Sequence, residues 1–330
     1  PNPSPFWRVA SFSSFIVTSL IGSLRLAQPD AIICLSSPMP VGLTARLLSL
    51  RWRCPLIYNA QDLLIEASLQ AGYVKPGWFL RRLYSFERFI LRGAARITVI
   101  CPGFEENMLA KGFPPERIQV IPNWIDVEAV RPSPRMNRFR EEENLGDGFV
   151  FMHAGNIGLI HGHEYVIEAA EITRSKADLL YCYLGTGLMK PRLEQMVSEK
   201  GLANVRFLSL RPREDMPLFL PAADCHLVSL DRGMRYSLPS KLATIMAAGR
   251  PVVGMMDEDT DAAKVILESG CGLIVPPRNP EKLARAILTF YENPELREQM
   301  GQAGRLYAEK HFNRKTNTAC YDQILREIFL

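Results

Sequence analysis

Ten short apolar runs punctuate the chain, and stretches of helical periodicity separate them. The runs are DAIICLS (30–36), PLIYNA (55–60), RITVI (96–100), RIQVI (117–121), FVFMHA (149–154), LLYCYL (179–184), VRFLSL (205–210), CHLVSL (225–230), PVVGM (251–255) and CGLIV (271–275). Strands with no polar alternation are buried on both faces, and parallel strands joined by helical crossovers bury both faces. The alternation therefore predicts an α/β protein with parallel sheets. Beyond 275 only helical patterns remain, over 280–292, 294–310 and 313–329. At 330 residues the chain exceeds the usual size of one core. In NWIDVEAVRPSPRMNRFREEENLGDG (123–148) prolines and charges replace the apolar runs. Two doubly wound domains follow, over 1–124 and 125–312, with a tail at 313–330 free to cross back to the first.

Composition excludes the extremes and locates the charge. Hydrophobic residues at 47% and charged residues at 22% exclude disordered and fibrous chains. Seven cysteines, at 34, 54, 101, 182, 225, 271 and 320, are scattered without a C-x-x-C pair. They read as reduced, buried thiols of a cytoplasmic protein. The net charge of +4 conceals an imbalance: residues 1–100 carry 11 Lys and Arg against 4 acids, the remainder 28 against 31. In WFLRRLYSFERFILRGAAR (78–96), Arg81, Arg82, Arg88 and Arg92 are interleaved with Trp78, Phe79, Tyr84, Phe86 and Phe89. That pattern predicts a helix in peripheral contact with an anionic membrane surface. No helix-turn-helix, zinc or ribonucleoprotein signature accompanies it, so nucleic acid is not an expected partner. Residues 9–24 form an uncharged run of sixteen, short of the ~20 that a spanning helix needs. A helix lying on a sheet, or grazing the bilayer interface, is expected there. The segment lacks the small-residue cleavage site of a signal peptide.

Two segments carry chemistry. In FVFMHAGNIGLIHGHEYVIEAA (149–170) a strand ends in Gly155, Asn156 and Gly158 and the chain then turns amphipathic. Glycines let backbone approach a ligand closely, and the unpaired N–H groups of a helix start favour phosphate; an ordinary βα turn needs glycine too. In SLPSKLATIMAAGRPVVG (237–254) Pro239 suits a first helical position, Ser240 offers a hydroxyl, and Lys241 adds a cation to a helix end that is already positive. Such a grouping implies an anion facing both helix starts. Gly185 and Gly187 in LGTG (184–187) either contact phosphate or only turn the chain. Asp62 and Glu66 in NAQDLLIEA (59–67) follow a strand's carboxyl end, where open α/β sheets place ligands; a helix-capping Asp is the plain alternative. His161 and His163 form an H-x-H pair without a third ligand, so no metal site is expected.

Taken in order, PNW-x-D (122–126), GN-x-G (155–158), LGTG (184–187), VRFL (205–208), AADCHLV (222–228) and PSKL...AAGRPVV (239–253) resemble the family 4, or group 1, retaining glycosyltransferases. The resemblance covers nearly the whole chain and points to the branch that builds bacterial O-antigen, capsule and colanic acid-type exopolysaccharide. It implies a GT-B architecture, two Rossmann-like domains facing a cleft. The C-terminal domain would hold the nucleotide sugar and the N-terminal one the acceptor, with the final helix returning to the latter. Gly155, Asn156, Gly158, His161, Gly185, Gly187, Ser240, Lys241 and Leu242 would bind the donor diphosphate, and Leu210 and Arg211, through backbone groups, its base. Asp62, Glu66 and Lys241 would be catalytic. Two departures bear on this. The family opens with a strand and glycine-rich loop without a counterpart here, so the N-terminal domain is expected to be incomplete. The E-x7-E glutamates of many relatives fall near Tyr236 and Thr244, and their arginine and lysine after the first C-domain strand fall on Asn156 and His161. Lys241 is left as the main counter-charge.

The reaction so implied transfers a sugar, with retention, from a nucleotide-diphosphate donor to a lipid-linked or growing glycan at the inner face of the cytoplasmic membrane. A UDP-sugar, an N-acetylated hexosamine among the candidates, is the expected donor. Departure of the diphosphate develops negative charge, which the N–H groups at 155–158 and 239–242 and Lys241 would stabilise. No Asp-x-Asp cluster is read as a Mg2+ site, so no cofactor is expected. A sugar-nucleotide epimerase of the same fold and a non-catalytic nucleotide-sugar-binding relative are the alternatives. A Rossmann dehydrogenase is disfavoured, because no G-x-G-x-x-G follows a strand with an acid about twenty residues on.

Overall fold

The computed structural model describes residues 5–36, 39–70 and 74–330, with their side chains except those of residues 5, 6, 8 and 9. The chain divides into two compact units, Pro1–Pro122 with Ala319–Leu330, and Asn123–Thr318. Each contains one parallel sheet. In the first unit the strands β1 (Ile32–Leu35), β2 (Leu56–Ala60), β3 (Arg96–Val99) and β4 (Ile118–Val120) lie side by side in that order. In the second, β5 (Phe149–Ala154), β6 (Leu179–Leu184), β7 (Val205–Leu208), β8 (Cys225–Ser229), β9 (Val252–Met255) and β10 (Gly272–Val275) run in the order β10-β9-β8-β5-β6-β7. All ten coincide with the apolar runs, shortened where the chain leaves the ladder. For β2, β8 and β9 the reason is burial from both sides, since every residue of these strands is buried.

Helices cover both faces of the six-stranded sheet, leaving one core with Val150, Met152 and Val228 and another with Phe149, Phe151 and Tyr181. The proline-rich stretch 123–148 belongs to the second unit, contributing Ile125, Val127, Val130, Phe139 and Leu145 to the first of these cores. It also brings in Arg140, 1% exposed, whose Nη2 donates to Asp224 at 2.6 Å and whose Nε donates to the Ala222 carbonyl at 2.7 Å. The tail forms the helices Pro280–Glu292, Pro294–His311 and Arg314–Phe329. The last passes from one unit to the other, and its Ile324 packs against Ile57 and Ile121 of the first. From the same helix Tyr321 accepts a 2.7 Å hydrogen bond from Asn59 of β2.

Two expectations about the first unit need correction. The uncharged segment is a helix, Pro5–Ser23, but it packs on the helix Val41–Trp52 rather than on a sheet. Its Phe12, Phe15, Val17 and Ile21 stay about half exposed. The aromatic-basic helix spans Trp78–Leu91 and stops before the predicted 96, because Gly93 follows and Ile90, Leu91 and Ala94 turn into the core. Arg81, Arg82, Arg88 and Arg92 are exposed along it, as are Trp78 and Phe79. Among the described residues no helix is long and apolar enough to cross a membrane. The cysteines are free, and all but Cys320 are buried.

Candidate functional site

Strand order in the second sheet reverses at β5, which has β6 on one side and β8 on the other. A reversal of this kind opens a crevice at the carboxyl ends of the strands, because the crossovers on either side depart in opposite directions. A cavity of about 520 Å3 occupies this place. It is lined by Ala154 and Gly155 after β5, Leu184 of β6, Leu210, Arg211 and Arg213 after β7, and Ser240, Lys241 and Thr244 of the helix Ser240–Ala247. Pro239 holds the N-cap position with φ −60° and ψ 128°, one residue earlier than predicted, and no side chain caps the helix. Its first N–H groups therefore keep their capacity for an acceptor.

The structure brings Gly155, Leu210, Arg211, Ser240 and Lys241 together on the cavity wall and leaves other candidates off it. Leu242 is a core residue, fully buried, with its N–H already donated to the Pro239 carbonyl. Gly185 and Gly187 have a packing reason to be glycine: a Cβ on Gly185 would overlap the Gly155 carbonyl, and one on Gly187 the Ile157 carbonyl. The two turns lie that close because Gly155 donates to the Leu184 carbonyl and Ile157 to the Thr186 carbonyl, both at 2.9 Å. The helix after Gly158 is delayed to His163 by a short 3-10 turn, Leu159–His161. Asn156 and Gly158 thus belong to an irregular loop rather than to a helix start. The Arg211 guanidinium is held by Glu143 at 2.5 Å and Glu142 at 3.2 Å, so its own side chain is already neutralised. Arg213, exposed on the lining, was not foreseen.

Around Lys241 the charge is one-sided. Among the described residues no carboxylate pairs with it; its Nζ instead lies 3.4 Å from Nδ1 of His153. Desolvation pulls its pKa down to about 8. His153 is 2% exposed, and its ring meets His163 edge-on at a centroid distance of 4.5 Å. Burial first, and Lys241 second, hold His153 far below the ordinary histidine range and lower His163 to about 3. His161 is lowered for the same two reasons, and its Nδ1–H donates to the Ser229 carbonyl at 2.8 Å. Three neutral imidazoles thus surround one ammonium. His153 was missed in the sequence because it sits inside an apolar run, and its partner lies 88 positions away. Its place one residue before the glycine turn is the signal that was available. The spacing Asp257-Glu258-Asp259 was also passed over; among the described residues no group of three or more His, Cys, Asp or Glu could hold a metal ion.

In the first unit Asp62 is exposed just past the carboxyl end of β2, and its N–H donates to the Ser36 hydroxyl at 3.3 Å. Glu66 lies on the helix Leu64–Gln70. It is 8% exposed and paired at 2.9 Å with Lys111, which also bridges Glu87 at 2.7 Å. Both acids thus share one lysine ammonium.

Residues 1–124 match the model of the glycosyl transferase 4-like domain, and residues 135–307 that of glycosyl transferases group 1. The chain belongs to the group 1 glycosyltransferases. Within the group it is 29% identical over 296 residues to the putative colanic acid biosynthesis glycosyl transferase WcaI of Escherichia coli K12, covering 87% of this chain and 72% of that one. It is 28% identical over 282 residues to the probable glycosyltransferase WbjE of Pseudomonas aeruginosa, covering 84% and 69%. Among solved structures, Anabaena HepE in complex with UDP aligns with a TM-score of 0.77 at 18% identity, over 96% of this chain and 81% of that one. This group 1 glycosyltransferase accordingly has the GT-B-like fold, with parallel sheets of four and six strands and a helical C-terminal region.

Proposed function

We propose that this glycosyltransferase takes a sugar from a nucleoside-diphosphate donor, a UDP-sugar such as a UDP-N-acetylhexosamine, and adds it to a lipid-linked or growing surface polysaccharide. Configuration at the anomeric carbon is retained, no metal takes part, and the protein works peripherally at the inner face of the cytoplasmic membrane. One observation carries the donor half: Lys241 is a desolvated ammonium without a carboxylate partner among the described residues, at an uncapped helix start, on the wall of a cavity at the sheet's switch point. Such a site attracts a diphosphate and strengthens its grip as charge builds on the leaving group. The UDP seen with HepE and the colanic acid role in the name of WcaI support the choice of donor and product class.

In this reading the glycine turn of Gly155, Asn156 and Gly158, with His161, Ser240 and Lys241, lies against the diphosphate, and backbone groups of Leu210 and Arg211 meet the base. The bond between the anomeric carbon and the diphosphate oxygen breaks, and its electron pair stays on the diphosphate. The acceptor hydroxyl attacks on the same face, its proton passing to the departing phosphate oxygen. Asp62 is assigned to the acceptor, where a carboxylate steadies the hydroxyl or the positive charge on the sugar. Radiolabelled UDP-sugars incubated with bacterial lipid extracts test the whole. Label entering the lipid phase is the expected result; a converted sugar nucleotide with no lipid product would establish an epimerase, and tight UDP binding with neither would establish a binding protein.

A further inference from the structure

We propose that His153 is the positioning residue of the donor site: its neutral imidazole accepts from Lys241 and donates to the Asn156 carbonyl, tying the helix-start cation to the glycine turn. This rests on the reading of the cavity as a diphosphate site. The protons on the two nitrogens follow from their partners. An ammonium has no lone pair, so Nδ1, 3.4 Å from Lys241 Nζ, accepts. A carbonyl has no proton, so Nε2, 3.3 Å from the Asn156 oxygen, donates. Both contacts are slightly longer than an ordinary hydrogen bond, as in a site that tightens only when its ligand enters. The ring has no freedom to turn away, being nearly fully buried against His163 and within 5.6 Å of the Tyr183 ring centroid.

An imidazole suits this position for an electrostatic reason. A carboxylate would fix the lysine equally well but would cancel the charge that the diphosphate must meet. A neutral acceptor fixes the ammonium and leaves its charge intact. The groups facing the pair are His161 and His163 from the segment after the glycine turn and Tyr183 from β6, and no acid stands among them. His153 stays uncharged because burial, and after it the charge of Lys241, disfavours its protonated form. The titration that matters near neutrality is therefore that of Lys241. Below about 8 it carries the charge that binds the anion, and above about 8 binding must first take up a proton. UDP affinity then falls by about tenfold per pH unit on the alkaline side.

Calorimetric titration of the full chain with UDP, and with GDP in parallel, tests this. His153→Phe removes both nitrogens at similar ring size; it should weaken binding at least tenfold and move the alkaline limb to lower pH, since the ammonium loses its acceptor. His153→Asn, which keeps an acceptor toward Lys241, should recover most of the affinity. In a Lys241→Met background, adding His153→Phe should change affinity by less than twofold, because a residue acting through the lysine has nothing left to act on. A further tenfold loss in that background, or an unmoved alkaline limb in His153→Phe, would assign His153 to packing alone and overturn the inference. The 15N shifts of His153 in the parent chain give a readout free of any substitution: the Nε2–H tautomer is expected, and the Nδ1–H tautomer overturns the proposal. Parent protein that binds neither nucleotide overturns the diphosphate reading and this inference together, whereas nucleotide binding undiminished in Lys241→Met overturns the assignment of the lysine.

Discussion

A half-buried ammonium with no carboxylate partner among the described residues costs the folded chain some desolvation, which pulls the Lys241 pKa down to about 8. Lys241→Met keeps the length and removes the charge. A charge-assisted hydrogen bond is worth roughly 1.5–3 kcal/mol, so transfer should drop by at least about tenfold while the melting temperature holds or rises. A coincident loss of activity and stability would instead make Lys241 structural. The opposite case is Asp224, 3% exposed, which accepts from Arg140 at 2.6 Å and from the Val150 N–H at 2.9 Å. Asp224→Asn strands the Arg140 charge and should cost about 3–5 kcal/mol in chemical denaturation. Lys241 was legible in the sequence because Pro-Ser-Lys marks a helix start within three residues. His153 and Asp224 were not: each owes its role to a partner far along the chain, and such pairs leave no local signature.

At the scale of elements the reading was easiest where burial is two-sided. All ten strands appear where apolar runs announce them, since a strand covered on both faces, as β2, β8 and β9 are, is mostly apolar. Turns were harder. The glycines of LGTG looked like ligand contacts, but the packing of one turn against another already requires them. Gly185 takes φ 154°, and Gly185→Ala should lower stability by about 1–3 kcal/mol and weaken UDP binding by displacing Gly155. Unchanged UDP affinity would separate the turn packing from the site. The helix Trp78–Leu91 poses a different question, because its arginines and its Trp78 and Phe79 are exposed together. We expect the protein to sediment with anionic vesicles at low salt and to be released as screening shortens to about 10 Å at 0.1 M. Gln replacement of Arg81, Arg82, Arg88 and Arg92 should abolish sedimentation; if it persists, the helix has no part in membrane attachment.

At the scale of the whole molecule, one segment belongs to both halves of the chain's history. The second unit is a continuous stretch, Asn123–Thr318, whereas the first is assembled from Pro1–Pro122 and Ala319–Leu330. Ile324 closes over Ile57 and Ile121, and Tyr321 accepts from Asn59 near the carboxyl end of β2. Chains are made from the N-terminus and domains fold as units as they emerge. Here we expect the order to be inverted: the unit synthesised first needs Ile324 to cover Ile57 and Ile121, whereas the later unit is continuous and ends at Thr318. Nascent chains stalled so that residue 318 has just left the ribosome should show a protease-resistant second unit beside a sensitive first one. Resistance of both at that length would mean that the first unit closes without its last helix. On this expectation the interval in which the nascent chain shows uncovered apolar surface is set by where one isoleucine falls in the message.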